Sequence, residues 1–292
     1  MVPLWPRAYI AGFFALASIS DLRAQHQHGG LMYHAPRWSP DGQWILVSAN
    51  LDGDTEIYLL GADGKTLRQL THNTVPNDIA RWSVDGRRII FQSNGPDGEK
   101  TLSMAVDGTD VRPEPGDSVT ARSPNGKMVL VESVREGRGQ LLLMTADRTE
   151  AKAITGDRHA EQGSFSPDGR LLVWEERDAM HERIDESKLV VAAADGTNPK
   201  SIAIGTDPSW SPDGRSILFK TPDPQTRTLW ISTVSPAGGE PKRLAPGVHP
   251  HWSSDGNRIA YMRDRPDGGA DVWIMNRDGT GGRCLTCAAP FR

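Results

Sequence analysis

A four-residue turn signature, Ser-Pro-Asp-Gly or a near variant, recurs six times along this chain, and that repetition constrains the fold more than any other feature. The copies are Ser39-Pro40-Asp41-Gly42, Ser83-Val84-Asp85-Gly86, Ser123-Pro124-Asn125-Gly126, Ser166-Pro167-Asp168-Gly169, Ser211-Pro212-Asp213-Gly214 and Ser253-Ser254-Asp255-Gly256. Successive serines stand 44, 40, 43, 45 and 42 residues apart. That is the period of four-stranded propeller blades and is too irregular for stacked helical hairpins. The residue types follow turn chemistry: Pro pre-sets φ, Asp or Asn bonds back to the local backbone, and Gly takes the positive φ that closes the hairpin.

The residues between turns repeat a strand pattern. A short strand ends in an aromatic at Trp38, Trp82, Phe165, Trp210 and Trp252, with Arg122 as the exception. After the turn come β-rich runs such as Trp44-Ile-Leu-Val-Ser48 and Ser216-Ile-Leu-Phe-Lys220, too short and too β-branched for helices. A polar loop, a third strand such as Val272-Trp273-Ile274, a second turn such as Asp278-Gly279 and a fourth strand such as Leu67-Arg-Gln-Leu-Thr71 complete the unit. The fold class is therefore all-β, a six-bladed β-propeller of four-stranded antiparallel blades over residues 33–286, with 287–292 as a C-terminal tail. The aromatics are expected to fill the contacts between blades, and Arg122, which breaks that ring, is expected to leave blade 3 the softest.

These repeats resemble the TolB-type WD-like β-propeller family. Blade 6 carries the resemblance best, with Trp252-Ser-Ser-Asp-Gly256, Arg258-Ile-Ala-Tyr261, Asp271-Val-Trp-Ile-Met-Asn276 and Asp278-Gly279 in order. The resemblance covers about Tyr33 to Thr286. It implies the propeller fold and, among functions, partner binding, since the matching residues are turn and packing residues. Few residues precede the first blade, so no counterpart is expected for the separate N-terminal α/β domain of TolB itself.

Residues 1–24 read as a secretory signal: Arg7, then the apolar run Ala8-Tyr-Ile-Ala-Gly-Phe-Phe-Ala-Leu-Ala17, then small residues. The run falls well short of the roughly 20 residues a spanning helix needs. Residues 25–32 form an N-terminal segment. The mature chain is expected to be periplasmic or secreted, a monomer, with no stable membrane insertion. A net charge of −4 with interspersed signs offers no basic stripe for phosphate backbones, which excludes nucleic acid as a partner.

Alternating strand direction places the Ser-Pro-Asp-Gly and Asp-Gly turns on one face of the ring and the irregular loops on the other. Long loops on a rigid scaffold are natural binding elements, and the longest runs about Glu175 to Ser187 in blade 4 and contains His181. All eight histidines are expected on that loop face or on the segment leading to it. His34, Asp78, His159, Glu161, Asp207 and His249 lie at or near the starts of innermost strands, where side chains can converge on the central opening. Imidazole with carboxylate suits a transition metal; histidine and aspartate are equally ordinary loop residues, and no ligand spacing supports a site. No catalytic residues and no cofactor are expected, and a divalent metal is the one group such a cluster would take.

Other chemical motifs fail. His181-Glu182-Arg183-Ile184-Asp185 has Asp where a zinc-protease helix needs its second His, and no Gly-x-Ser-x-Gly elbow occurs. Cys284 and Cys287 form a lone Cys-x-x-Cys, for which a local disulfide, demanding a turn through Leu285-Thr286, and free thiols remain open. The expected function is a non-enzymatic scaffold binding a protein or peptide in the cell envelope through the loop-rich face and central opening. One alternative is a metal-dependent lyase or hydrolase acting on polysaccharide, as in the oligogalacturonate lyases whose repeats look similar. A second is a small-ligand sensor domain.

Overall fold

A computed structural model describes residues 33–51, 53–83, 85–114, 119–135, 137–156, 158–177 and 186–288. The expected export signal, the N-terminal segment, His181, most of the long blade-4 loop and the last residues of the tail lie outside them. The described residues form six four-stranded antiparallel sheets, each in chain order. These are the six blades, and the sequence and the structure agree on their number and composition.

The innermost strands are Tyr33–Trp38, Asn77–Trp82, Val119–Arg122, His159–Phe165, Thr206–Trp210 and Val248–Trp252. Each leads into its turn in the same way. The Ser hydroxyl donates to the Asp or Asn two residues on, at 2.5 Å for Ser39–Asp41 and 2.8 Å for Ser123–Asn125. The same Ser Oγ accepts the N–H five residues on, as from Trp44, Met128 and Arg258 at 2.9 Å each. The closing glycines, from Gly42 to Gly256, sit at φ between 67° and 71°, a region where a Cβ is strained. The Ser hydroxyl donation is the leading reason the Asp85, Asp168, Asp213 and Asp255 carboxyls lie below the usual range.

All six innermost strands shift register against their neighbour, and five of them do so at a bulge with a left-handed residue. The residue at the bulge takes a left-handed φ: Ala35 (41°), Ile79 (52°), Gln162 (56°), Asp207 (55°) and His249 (50°). Bulges re-aim side chains and bend strands, and here they do so beside the central opening.

Five apolar clusters fill the seams between blades 6 and 1, 1 and 2, 3 and 4, 4 and 5, and 5 and 6. The inner-strand aromatics anchor them, with Trp38, Phe165, Trp210 and Trp252 all buried. Where the indole N–H bonds, it reaches the preceding blade: Trp82 Nε1 donates to the Arg37 carbonyl at 3.3 Å and Trp210 Nε1 to that of Ser164 at 3.4 Å. On the outside, a basic side chain of one blade donates to a turn carbonyl of the next. The pairs are Arg68 to Asp107 (2.7 Å), Lys152 to Asp195 (2.9 Å), Lys200 to Ala237 (2.9 Å), Lys242 to Asp278 (3.0 Å) and Arg283 to Asp63 (2.8 Å).

The seam between blades 2 and 3 departs from all of this. Among the described residues no apolar cluster bridges it, the exposed Arg122 takes the aromatic's place, and Arg148 stands where other blades have the Gly of their second turn. Blade 3, expected to be the softest, is thus the blade that meets its predecessor without an apolar cluster among the described residues. Blades 4 to 5 and 5 to 6, by contrast, are joined by one glycine each, Gly205 (φ 154°) and Gly247 (φ 156°). A Cβ on Gly247 would stand 2.5 Å from the Met262 carbonyl oxygen.

Candidate functional site

The channel-side ends of blades 3, 4 and 5 hold a network of charged side chains. His159 opens the innermost strand of blade 4, and its Nδ1 accepts the backbone N–H of Gly139 in blade 3 at 3.0 Å. That fixes the neutral tautomer with the proton on Nε2, which faces Glu161 Oε2 at 3.2 Å. Glu161, 8% exposed, also pairs through Oε1 with Arg177 Nη2 at 3.2 Å. Both ring nitrogens and both carboxylate oxygens are therefore engaged within the protein.

Two further glutamates cap bulges. The left-handed turn of the backbone at Gln162 and Asp207 takes their N–H groups out of the strand ladder, and each finds a carboxylate from the preceding blade. Gln162 N–H donates to Glu132 Oε1 at 2.6 Å, and Asp207 N–H to Glu175 Oε2 at 3.2 Å. Glu132 and Glu175 both stand nine residues after their turn serine, so they are one structural device used twice. Burial pushes their carboxyls up to about 7 and about 8, with Glu161 adding to both and Asp207 to Glu175. The same position in blade 5 is Lys220, whose Nζ lies 2.6 Å from Asp207 Oδ2. Asp207 is held below the carboxylate range against its burial by Lys220 and then His249.

The sequence-predicted residues thus fall into separate groups. The structure brings His159 to Glu161 and sets His249 beside Asp207, whereas Asp78 turns back to accept the N–H of Ile79 at 2.7 Å. His34 lies in the first strand of blade 1, and His181 is outside the described residues. His251, expected on the loop face, sits inside its strand toward the turn face, its Nδ1 accepting Trp38 N–H at 3.4 Å. Burial and then the charge of Arg37 lower it to about 3, which keeps it neutral. Sequence reasoning passed over Glu132, Glu175, Arg177 and Lys220; for Glu132, Glu175 and Lys220 the signal that finds them is their fixed distance from the turn serine.

Beside this network a cavity of about 250 Å³ opens on the loop face, lined by Arg135, Arg138, Gln140, Thr155 and Arg158 among others. Arg158 is tied to Glu176 at 3.3 Å. Asp271, Cys284 and Cys287 are the one set of three potential metal ligands drawn together among the described residues. The two cysteines are bonded to each other, with Cα atoms 5.7 Å apart, which resolves the question the sequence left open. No helix among the described residues is long and apolar enough to cross a membrane.

Comparisons with known proteins agree with this architecture. A curated relative from Bacillus subtilis (strain 168), "Uncharacterized peptidase YuxL", is 28% identical over 164 residues, covering 50% of this chain and 22% of its own length. The chain therefore spans under a quarter of that relative. Among solved structures, TolB from Acinetobacter baumannii has a TM-score of 0.59 at 17% identity, over 90% of this chain and 66% of that one. A putative TolB from Agrobacterium tumefaciens has a TM-score of 0.58 at 19% identity, over 84% and 90%. An oligogalacturonate lyase in complex with manganese has 0.53 at 13% identity, over 87% and 77%. Such identities show the fold alone. The profile of the TolB beta propeller domain matches residues 17–203, and with most of the chain so covered the protein belongs to that family.

Proposed function

We propose that this protein is an exported, TolB-like propeller that acts as a monomeric, non-enzymatic scaffold, binding a protein or peptide of the cell envelope through its loop face and central opening. The observation that carries this reading is the closed His159–Glu161–Arg177 network. A catalytic base or a metal ligand needs a free lone pair at the opening, and here Nδ1 is taken by a backbone N–H while Nε2 carries its proton toward a salt-bridged carboxylate. The nearby Glu132 and Glu175 cap backbone groups. Side chains that chemistry would require instead lock adjacent blades into a stiff platform, and a stiff platform with irregular loops suits recognition.

The test is affinity capture from envelope extracts of the source bacterium with three baits: the wild type, a variant lacking residues 178–185, and Arg170→Glu on the turn face. A protein retained by wild type and Arg170→Glu and lost with the loop deletion is expected. Equal capture by all three, or capture lost only with Arg170→Glu, would overturn the assignment of the face.

A further inference from the structure

The channel wall on the turn-face side has a composition unlike the rest of this acidic chain. The residue two before each turn serine is Arg37, Arg81, Ala121, Ser164, Ser209 and His251 in blades 1 to 6. Arg37 pairs in register with Leu46, Arg81 with Ile90 and His251 with Ala260, the same level in three consecutive blades. Strand alternation buries their neighbours, Pro36 and Trp38 around Arg37 and Ala80 before Arg81, and leaves both arginines open to solvent. Arg37 feels the charges of Arg81 in blade 2 and Asp207 in blade 5, and His251 in blade 6 feels Arg37. Groups from four successive blades therefore act on one another around the opening.

The charge of Arg37 is not balanced through a direct bond. The guanidinium of Arg37 makes no hydrogen bond or ion pair with any described residue. Solvent reaches it, yet protein surrounds it closely enough that burial is the leading effect lowering its pKa, with Arg81 adding to it. Asp207, whose charge acts on Arg37, is already held by Lys220 at 2.6 Å. Guanidinium groups that repel one another in a confined opening favour an anion beside them. An oxyanion placed against a planar guanidinium gains short, charge-assisted and often paired hydrogen bonds.

We propose that the channel wall formed by Arg37 and Arg81 is a binding site for a small oxyanion, a phosphate or a carboxylate. This site is separate from the loop-face reading and does not depend on it. Phosphate and carboxylate share the chemistry of planar or tetrahedral oxygens against guanidinium, and separate titrations distinguish them.

The test is isothermal calorimetry of the full chain with inorganic phosphate and with citrate, against chloride at matched ionic strength, in wild type, Arg37→Gln and Arg81→Gln. Saturable binding of at least one anion to wild type is expected, weakened tenfold or more in each variant. Arg37→Gln should also melt at the same temperature as wild type or higher in chloride, since it removes an enclosed charge, while losing the anion-induced rise in Tm. No saturable heat with either anion, or an equal anion response in wild type and both variants, would overturn the site; should Arg37→Gln fold poorly, Arg81→Gln decides by the same criterion.

Discussion

Arg258 of blade 6 stacks on the indole of Trp38 in blade 1, its guanidinium carbon 4.5 Å from the ring centroid. Among the described residues the ring is closed at this seam by contacts that each involve a side chain, because each blade completes its four strands in chain order. Trp38, 3% exposed, sits in an apolar cluster with Tyr58, Val272 and Leu285. Trp38→Ala is expected to lower stability by about 3–5 kcal/mol, and Arg258→Ala by about 1 kcal/mol. Urea unfolding of both variants and of the double variant measures the two losses and their coupling, and additive losses would show that the stacking contributes nothing of its own.

The seam between blades 2 and 3 lacks the apolar bridge found at the other five among the described residues. Native-state hydrogen exchange should therefore find the amides of Val119–Arg122 opening at lower free energy than those of Thr206–Trp210, the equivalent strand of blade 5. Equal protection of the two strands would contradict the role assigned to Arg122.

Stability should fall as pH rises from about 4.5 to 8. Glu132 and Glu175 have folded-state carboxyls pushed up to about 7 and about 8, so the folded protein holds protons that the unfolded chain gives up near its ordinary pKa of about 4.3. Their contribution is complete below that pH and is lost as pH rises through 7 and 8. On the acid side the signs reverse. His251, lowered to about 3, and the turn aspartates Asp85, Asp168, Asp213 and Asp255, also lowered, contribute stability that is lost as pH falls. Together these groups place the optimum near pH 4–5. Glu175→Gln and Glu132→Gln should flatten the alkaline limb, each by on the order of 1–3 kcal/mol between pH 5 and 8, in thermal unfolding followed across pH. A limb of unchanged slope in both variants would mean these carboxyls titrate normally.

Reducing the Cys284–Cys287 bond should have a local effect. The two cysteines are three positions apart, so the loop the bond closes is short and its entropic contribution no more than about 2 kcal/mol. The segment is also held by Thr286, whose Oγ1 donates to Asp271 at 2.9 Å and accepts Val272 N–H at 3.0 Å. A Cys284→Ser/Cys287→Ser variant should keep the whole ring and lose exchange protection only in the last two strands of blade 6. Global unfolding would show that the clip supports the ring closure itself.

How much was legible in the sequence depends on how local the cause was. The turns could be read because Ser39, Asp41 and Gly42 act within four residues, and the same chemistry repeats in every blade. Arg122 could be read as a defect because its five counterparts are aromatic. Glu132 and Glu175 could not, since their partners are backbone groups of the following blade, freed only because Gln162 and Asp207 adopt a left-handed φ that nothing in their residue types demands. For the same reason the grouping of His34, Asp78, His159, Glu161, Asp207 and His249 at one opening did not emerge as a single site. The bulges divide Asp78, His159, Glu161, Asp207 and His249 among separate partners.

The single-glycine links at Gly205 and Gly247 have a mechanical consequence. A one-residue tether with a tightly constrained backbone leaves two blades almost no independent motion, so blades 4, 5 and 6 are coupled along the chain as well as through their packing. Blades 1, 2 and 3 are strung on longer connections. Any load carried around the circle will therefore concentrate as strain in the compliant half and reach its weakest join between blades 2 and 3, so the molecule behaves as a stiff plate facing a hinge, in spite of its near six-fold repetition.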